Sequence, residues 1–163
     1  MKRITFQQIG TIHSSLDDPS RAPIQATARN AADVEGTVEV FPEFEEGLKD
    51  IEGFSHLFLL YQFNRVTEHR LLVTPFLDTV ERGVFATRAP SRPNPIGISI
   101  VRLIGKTSNN TLSVQGLDIL DNTPLLDIKP WVPAFDQVTA DKIGWLAGKV
   151  DSVDASQDDG RFV

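Results

Sequence analysis

Short apolar runs rich in Val, Ile, Leu and Phe recur along this chain, each bounded by Gly, Pro, Asn or Asp. This pattern predicts the short strands of a β-sandwich or barrel, because branched and aromatic side chains favour strands and the bounding residues favour turns. The polar loop 105–110 between two such runs predicts a β-hairpin. The predicted fold class is therefore mainly β, a small closed β-barrel with one or two short peripheral helices. Strands are expected near residues 5–13, 36–41, 56–63, 70–75, 84–87, 97–104, 111–117 and 125–129.

Two helices are predicted outside the strands. The first covers residues 42–51, because a proline at its start, acids in its first turn and a glycine just after its end are typical helix boundaries. The second covers residues 136–146 and begins with Asp136 as its cap. With 163 residues we expect one barrel domain. The predicted organisation is a barrel over residues 1–135, a helical extension over 136–150 and an acidic tail over 151–163 that frays in solution.

The composition excludes several kinds of site. The chain has no cysteine, which excludes disulfides, thiolate nucleophiles and cysteine-built metal sites. Its three histidines fit no zinc-ligand spacing, and it has no glycine-rich phosphate loop and no serine-nucleophile elbow. No apolar run approaches the ~18 residues of a membrane span, and the start lacks the core of a signal peptide. We therefore expect a cytoplasmic protein with no metal and no membrane partner.

Charge is segregated along the chain. The formal net charge of -6 argues against a nucleic-acid partner when it is taken as an average. The stretch 65–102 nevertheless carries six arginines against three acids. Arginine suits bidentate contact with phosphate and stacking on bases, so this stretch is either an RNA-binding surface or ordinary solvent-facing charge.

A proline-rich loop over residues 86–97 is the first candidate site. Three prolines within six residues fix its backbone, and Arg88 and Arg92 lie in it. A ligand would lose little entropy on docking against a loop that is already ordered. The alternative is a rigid connection between two strands, and loops serve either purpose.

A turn over residues 116–124 is the second candidate site. Asp118 and Asp121 lie in this turn. Each carboxylate would either accept hydrogen bonds from the turn backbone or accept them from the ribose or amino groups of a nucleoside.

The motifs of these two segments resemble a known family. Ala-Thr-Arg at 86–88 is followed by Arg-Pro-Asn-Pro-Ile-Gly at 92–97, Gly-Leu-Asp at 116–118 and Asp-Ile-Lys-Pro at 127–130. In this order, and over about residues 5–135, the chain is similar to the TrmO/YaeB-like family of S-adenosylmethionine-dependent tRNA methyltransferases. The resemblance implies a small barrel that forms homodimers. It also implies methyl transfer from S-adenosyl-L-methionine to N6 of threonylcarbamoyl-adenosine beside a tRNA anticodon.

The resemblance also implies site residues, position by position. Three positions depart from the family pattern, with Ile24 in place of Arg, Asn64 in place of His and Asn122 in place of Gly. Two other functions stay open, a methyltransferase with a small-molecule acceptor and a barrel that binds the cofactor or a nucleoside without catalysis. The proton of N6 would be accepted by Asp118, Asp121 or Asp127, each with a structural hydrogen bond as its alternative role. Cofactor contacts would fall on Pro23, Ile24, Gln25, Phe63, Asn64, Arg88, Ile98, Asp118, Ile119, Leu120 and Asp121, and substrate contacts on Arg92, Asn94 and Lys129.

Overall fold

A closed antiparallel barrel dominates the computed structural model, which describes residues 2–19, 22–23, 31–150, 159 and 162. Six strands close it in the order β1-β2-β7-β6-β3-β8, and β4 and β5 pair separately. The predicted fold class is confirmed. The strands are β1 (Gly10–Ser14), β2 (Glu35–Val40), β3 (His56–Gln62), β4 (Leu72–Val73), β5 (Arg82–Gly83), β6 (Ile96–Ser108), β7 (Thr111–Gln115) and β8 (Thr123–Pro130).

Aliphatic side chains fill the barrel. In β3, Leu57, Leu59 and Tyr61 are buried, and the residues between them face outward. This alternation follows from the pleat of a strand, in which successive side chains point to opposite faces. The interior of a barrel with so few strands is just wide enough for side chains to occupy it. Space for a ligand must therefore come from the barrel rim and the loops.

The helical elements are shorter than predicted. Residues 42–51 do not form an α-helix; 3₁₀ helices cover Pro42–Leu48 and Ile51–Gly53. Asp50 interrupts them with a φ of 66°, in the left-handed region. No helix in the described part of the chain is long and apolar enough to cross a membrane.

The helix predicted over residues 136–146 is wrong. The only regular elements there are α1 (Pro133–Asp136), which ends where the predicted helix should begin, and a 3₁₀ turn at Gly144–Leu146. Val138 is 81% and Ile143 47% exposed, so two of the apolar positions on which the prediction depended gain little from packing. The division into barrel, extension and tail stays a prediction.

Three predicted strands differ from the structure. Residues 84–87 form no strand, because Val84–Ala86 is a 3₁₀ turn closed by the N–H of Thr87 on the Val84 carbonyl at 3.1 Å. The first strand begins at Gly10 rather than at residue 5, and Phe6 is 70% exposed. The strand predicted over 70–75 shrinks to β4.

The acidic tail is described only at Asp159 and Phe162. The Phe162 ring is buried and lies edge-on to Phe76, with ring centroids 5.1 Å apart. The frayed tail stays a prediction. The other positions of 151–163 lie outside the described residues.

Candidate functional site

A cavity of about 890 Å³ opens at the rim of the barrel. The end of β3 and the beginnings of β6 and β8 form its floor, since Tyr61, Ile98 and Thr123 line it. Its volume lies within the roughly 300–1,000 Å³ of small-molecule and cofactor sites. The loops before β6 and β8 and a segment after the barrel complete its walls.

The cavity gathers most of the positions that the resemblance implies for a cofactor. Asp121 does not line it, and Ile24 and Gln25 lie outside the described residues. Of the implied substrate residues, Arg92 lines the cavity, whereas Asn94 and Lys129 do not. The implied cofactor residues that line it are Pro23, Phe63, Asn64, Arg88, Ile98, Asp118, Ile119 and Leu120.

A buried hydrogen-bond chain ends at the Asp118 carboxylate. The Ser99 hydroxyl donates to Oδ1 of Asp118 at 2.5 Å, and the Tyr61 hydroxyl lies 3.1 Å from Oγ of Ser99. Serine has one hydroxyl hydrogen and an ionised carboxylate only accepts, so Tyr61 donates to Ser99. The chain thus runs from Tyr61 through Ser99 to Asp118 and fixes one carboxylate oxygen at the cavity.

Tyr61 stays a neutral donor in this chain. Burial raises its pKa well above the usual 10.0, and the charge of Asp118 raises it further. The hydrogen bond with Ser99 and the charge of Arg88 act in the opposite direction and are smaller. Gly97 lies opposite Tyr61 in the β3–β6 pairing, and a Cβ there would come within 2.3 Å of Cε2 of the ring.

Sequence reasoning missed Tyr61 and Ser99. Both are inward-facing residues of strands whose other inward positions are mostly aliphatic. A hydroxyl at such a position needs a buried hydrogen-bond partner. A hydroxyl among aliphatic inward positions was therefore the sequence signal that could have indicated these two residues.

Arg92 shapes the loop beside the cavity. Its Nη1 donates to the carbonyl oxygens of Thr87 at 2.9 Å, Val84 at 3.1 Å and Ala89 at 3.3 Å. Its guanidinium carbon also lies 5.8 Å from the centroid of the Phe85 ring. Arg92 therefore holds the turn that carries Arg88, and Nη1 is committed to the protein backbone.

Asp121 ties the second candidate segment to the barrel. Its Oδ1 accepts from the N–H of Ser14 at 3.2 Å, and its Oδ2 accepts from the side-chain amide of Asn122 at 2.7 Å. His13 lies 3.5 Å from Oδ1 as well. These contacts give Asp121 the structural role that was one of its two predicted alternatives, since its carboxylate accepts hydrogen bonds from the protein.

Asp127 also lies away from the cavity. It accepts from the N–H of Ile128 at 2.9 Å and pairs with Lys129 at 2.7 Å on the barrel surface. Of the three candidate carboxylates, Asp118 alone lines the cavity.

The donor set fits an adenosyl amino-acid cofactor better than a metal. Arg88 brings a cation suited to a carboxylate, and Asp118 brings an acceptor suited to ribose hydroxyls or an ammonium group. Phe63 and Ile98 offer apolar surface for a base. Within the described ranges, no group of three or more His, Asp or Glu side chains is arranged to hold a metal ion.

This chain is similar in sequence to known proteins and similar in fold to a solved structure. A probable S-adenosyl-L-methionine-binding protein of Pyrococcus abyssi is 56% identical over 159 residues, which are 98% of this chain and 85% of that protein. The tRNA (adenine(37)-N6)-methyltransferase of Escherichia coli is 34% identical over 142 residues, 82% of this chain and 60% of that enzyme. The crystal structure of TrmO from Pseudomonas aeruginosa matches with a TM-score of 0.73 at 38% identity, covering 88% of this chain and 62% of that one.

The chain thus spans about three fifths of the length of the Escherichia coli enzyme and of the TrmO chain. The family model that describes the N-terminal domain of tRNA-methyltransferase O matches residues 11–137. This range holds the six barrel strands except Gly10, the first residue of β1, and every described cavity residue that the resemblance implied. The predicted resemblance is confirmed, and the chain belongs to the tRNA-methyltransferase O N-terminal domain family.

Proposed function

We propose that this protein transfers a methyl group from S-adenosyl-L-methionine to N6 of threonylcarbamoyl-adenosine beside the anticodon of a cytoplasmic tRNA. The observation that carries the proposal is the meeting of Arg88, Asp118 and the apolar side chains of Phe63 and Ile98 in one cavity. The names of the relatives support it, since one is a probable S-adenosyl-L-methionine-binding protein and another a tRNA (adenine(37)-N6)-methyltransferase.

The cavity residues divide the recognition of S-adenosyl-L-methionine among them. This cofactor supplies an electrophilic methyl group on a sulfonium sulfur. Arg88 binds its carboxylate by charge-assisted hydrogen bonds. Asp118 accepts hydrogen bonds from its ribose hydroxyls or its ammonium group. Phe63 and Ile98 pack against its adenine.

The protein contributes mainly alignment to the methyl transfer. An in-line displacement needs the acceptor nitrogen and the reacting carbon held in near-attack geometry, which fixed side chains provide. The acceptor N6 loses a proton as its bond to the methyl carbon forms. Asp118 is the carboxylate we assign to the site, as cofactor ligand or as acceptor of that proton. In Asp118→Asn, a raised KM for the cofactor indicates the first role, and a lowered kcat with an altered pH profile indicates the second.

The test is incubation with labelled S-adenosyl-L-methionine and tRNA from cells that lack this methylation, followed by mass analysis of the nucleosides. We expect a methylated threonylcarbamoyl-adenosine. We also expect Arg88→Ala to weaken cofactor binding about tenfold to a hundredfold, the usual loss for a hydrogen bond to a charged group. Arg70→Ala is the matched control, because Arg70 is exposed, lies outside the barrel strands and does not line the cavity. Cofactor binding without a methylated nucleoside would refute tRNA as the acceptor.

A small-molecule acceptor is the second candidate. The net charge of -6, the missing cation at Ile24 and the missing imidazole at Asn64 all favour it over tRNA. Binding of tRNA by arginines would weaken steeply with salt, because phosphate contacts release counterions. An affinity for tRNA that is absent, or that does not change with salt, supports the small-molecule acceptor or a barrel that binds without catalysis.

We infer that two copies of the chain pair through the outer face of β3 and β6. Outward positions of a solvated sheet are usually polar, yet Phe58 is paired with Ile100 and Leu60 with Ile98. Ile98 is 54% exposed and also lines the cavity, so this apolar face adjoins the cavity. Contiguous apolar surface of this kind marks an interaction site.

Sedimentation of a charged variant tests the pairing. Ile104 lies on the same outward side of β6, is 54% exposed and does not line the cavity. We expect Ile104→Glu to sediment as a monomer where the wild type sediments as a dimer. Val138→Glu is the control, since Val138 is 81% exposed and lies outside the barrel. A monomeric wild type would refute the inferred pairing.

A further inference from the structure

Residues 144–150 lie beyond the domain that the family model matches, which ends at residue 137. They nevertheless form part of the cavity wall, since Trp145, Leu146 and Val150 line the same space as Arg88 and Asp118. This wall is therefore supplied by a segment outside the matched domain.

Polar contacts fasten this segment to the β4–β5 connection, to β5 and to the loop before β6. The indole N–H of Trp145 donates to the carbonyl of Ala86 at 2.8 Å. Nζ of Lys149 lies 2.7 Å from Oδ1 of Asp78, and Arg82 binds Oδ2 of the same carboxylate through Nη2 at 2.8 Å and Nε at 3.0 Å. The Asp78 side chain is only 4% exposed, so removing one cation would leave a poorly solvated charge.

The same two cations also lie against the indole. The Arg82 guanidinium carbon is 5.9 Å and the Lys149 ammonium 5.8 Å from the Trp145 ring centroid, both within cation–π range. Lys149 and Arg82 hold the pKa of Asp78 below its usual value, so the carboxylate is charged near neutral pH. One cluster thus joins the segment to the β4–β5 connection and to β5. It consists of Asp78, Arg82, Trp145 and Lys149.

Among the described residues, few other contacts secure the segment. Ile143 is 47% exposed and Val150 46% exposed, and Gly144–Leu146 is a single 3₁₀ turn. A segment with few buried apolar contacts and exposed backbone opens at low free-energy cost. Its position over the cavity therefore depends on the cluster around Asp78.

We propose that residues 144–150 form a clasp that closes the cofactor cavity, with Asp78 as its anchor and Trp145 as the positioning residue against the bound cofactor. The inference rests on the proposed function. Closure of the clasp excludes water from the cavity and adds contact area to the ligand. Coupling between closure and binding is reciprocal. Loss of the anchor therefore lowers the affinity for the ligand, and binding of the ligand stabilises the closed clasp.

Tryptophan fluorescence tests the clasp directly. The chain has two tryptophans, and Trp131 packs against His56 at the far end of β3 from the cavity. Trp131→Phe therefore leaves Trp145 as the sole tryptophan. In this background we expect S-adenosyl-L-methionine to shift the emission of Trp145 and to protect it from acrylamide quenching.

Lys149→Gln removes one anchor cation and leaves a polar side chain that is shorter by one atom. We expect it to increase quenching of Trp145 without ligand and to weaken cofactor binding, measured by calorimetry, about fivefold to tenfold, a typical coupling. Lys142→Gln is the matched control, because Lys142 is exposed in the same extension and does not line the cavity. Both variants should unfold at nearly the wild-type denaturant concentration, because the barrel core is untouched.

Two results would overturn the clasp. Cofactor binding that leaves the emission and quenching of Trp145 unchanged would show that the wall does not respond to ligand. Wild-type affinity in Lys149→Gln would show that the anchor does not support binding. If the wild type binds no cofactor at all, the proposed function fails and the clasp with it, which is a different result from binding without a response at Trp145.

Discussion

At the scale of single residues, the cavity depends on side chains that hold one another in place through hydrogen bonds. The Asp118 carboxylate is held by Ser99, and Ser99 is held by Tyr61. Arg88 is carried by a turn that Arg92 holds through backbone carbonyls. The family resemblance implied roles for Asp118 and Arg88, whereas Tyr61 and Ser99 became visible only when the β3–β6 pairing brought them together.

Tyr61 is the only tyrosine of the chain, so its ionisation is directly measurable. Because burial and Asp118 raise its pKa, we expect phenolate absorbance in the folded protein to appear only well above pH 10.0, and near that value in denaturant. The folded pKa lies above the unfolded one. The stabilisation by the neutral phenol is therefore fully present below the unfolded pKa and is lost as the pH rises through the folded pKa. Ultraviolet titration measures this; an ordinary pKa with circular dichroism still native would contradict it.

Gly97 gives the Tyr61 ring its space. A Cβ at Gly97 would lie 2.3 Å from the ring, whereas one at Gly105 on the same strand meets nothing within 4 Å. We expect Gly97→Ala to lower the free energy of unfolding by about 1–3 kcal/mol, the usual cost of overpacking. Gly105→Ala should change it by less than about 0.5 kcal/mol, as other surface substitutions do. Urea denaturation of both variants measures the difference, and equal losses would exclude the ring contact as the cause.

At the scale of elements, the turn before β8 was predictable and the turn before β6 was not. Asn122 adopts a φ of 61°, a conformation that both Asn and Gly tolerate, so the departure from the family's glycine leaves the turn intact. Val84–Ala86 instead forms a 3₁₀ turn in place of the predicted strand. The side chain of Arg92 decides this from outside the segment, and local propensity carries no sign of such a contact.

Two variants of Asn122 separate backbone conformation from side-chain bonding. Both Asn122→Gly and Asn122→Ala lose the hydrogen bond to Asp121. Because the left-handed conformation costs alanine about 1–2 kcal/mol, we expect the alanine variant to be less stable than the glycine variant by about that amount. Thermal unfolding of the pair measures it. Equal stabilities would mean that the turn changes conformation when the amide is lost.

At the scale of the whole molecule, the first and last strands close the barrel. The contact between them, the β1–β8 seam, has the fewest paired residues of the neighbouring barrel strands. β1 meets β8 at three positions, one of them Pro124, which has no N–H to donate. β3 meets β6 at seven positions. The recurring short apolar runs predicted a β-sandwich or barrel, because branched and aromatic residues between turn signals favour short strands. The clasp could not be predicted, since its contact between Asp78 and Lys149 joins residues far apart in the sequence.

Hydrogen exchange should follow this difference in pairing. We expect the amides of Leu57 and Leu59 to exchange most slowly and those of Thr11 and Ile12 to exchange faster. The reason is that opening the seam costs less free energy than opening the whole barrel. Native-state exchange in low denaturant measures both groups. Identical protection at the seam and in β3 would mean that the barrel opens only as one unit.

Because side chains fill the barrel interior, the residues that stabilise the fold are largely separate from the residues that line the ligand cavity. Leu57, Leu59 and their aliphatic neighbours make the barrel, while the cavity takes most of its polar groups from the rim and from loops. An engineer can thus redesign those loops for a different acceptor and leave the hydrophobic scaffold as it is. Tyr61 and Ser99 are the exception, because they belong to both parts and would have to stay fixed in any redesign.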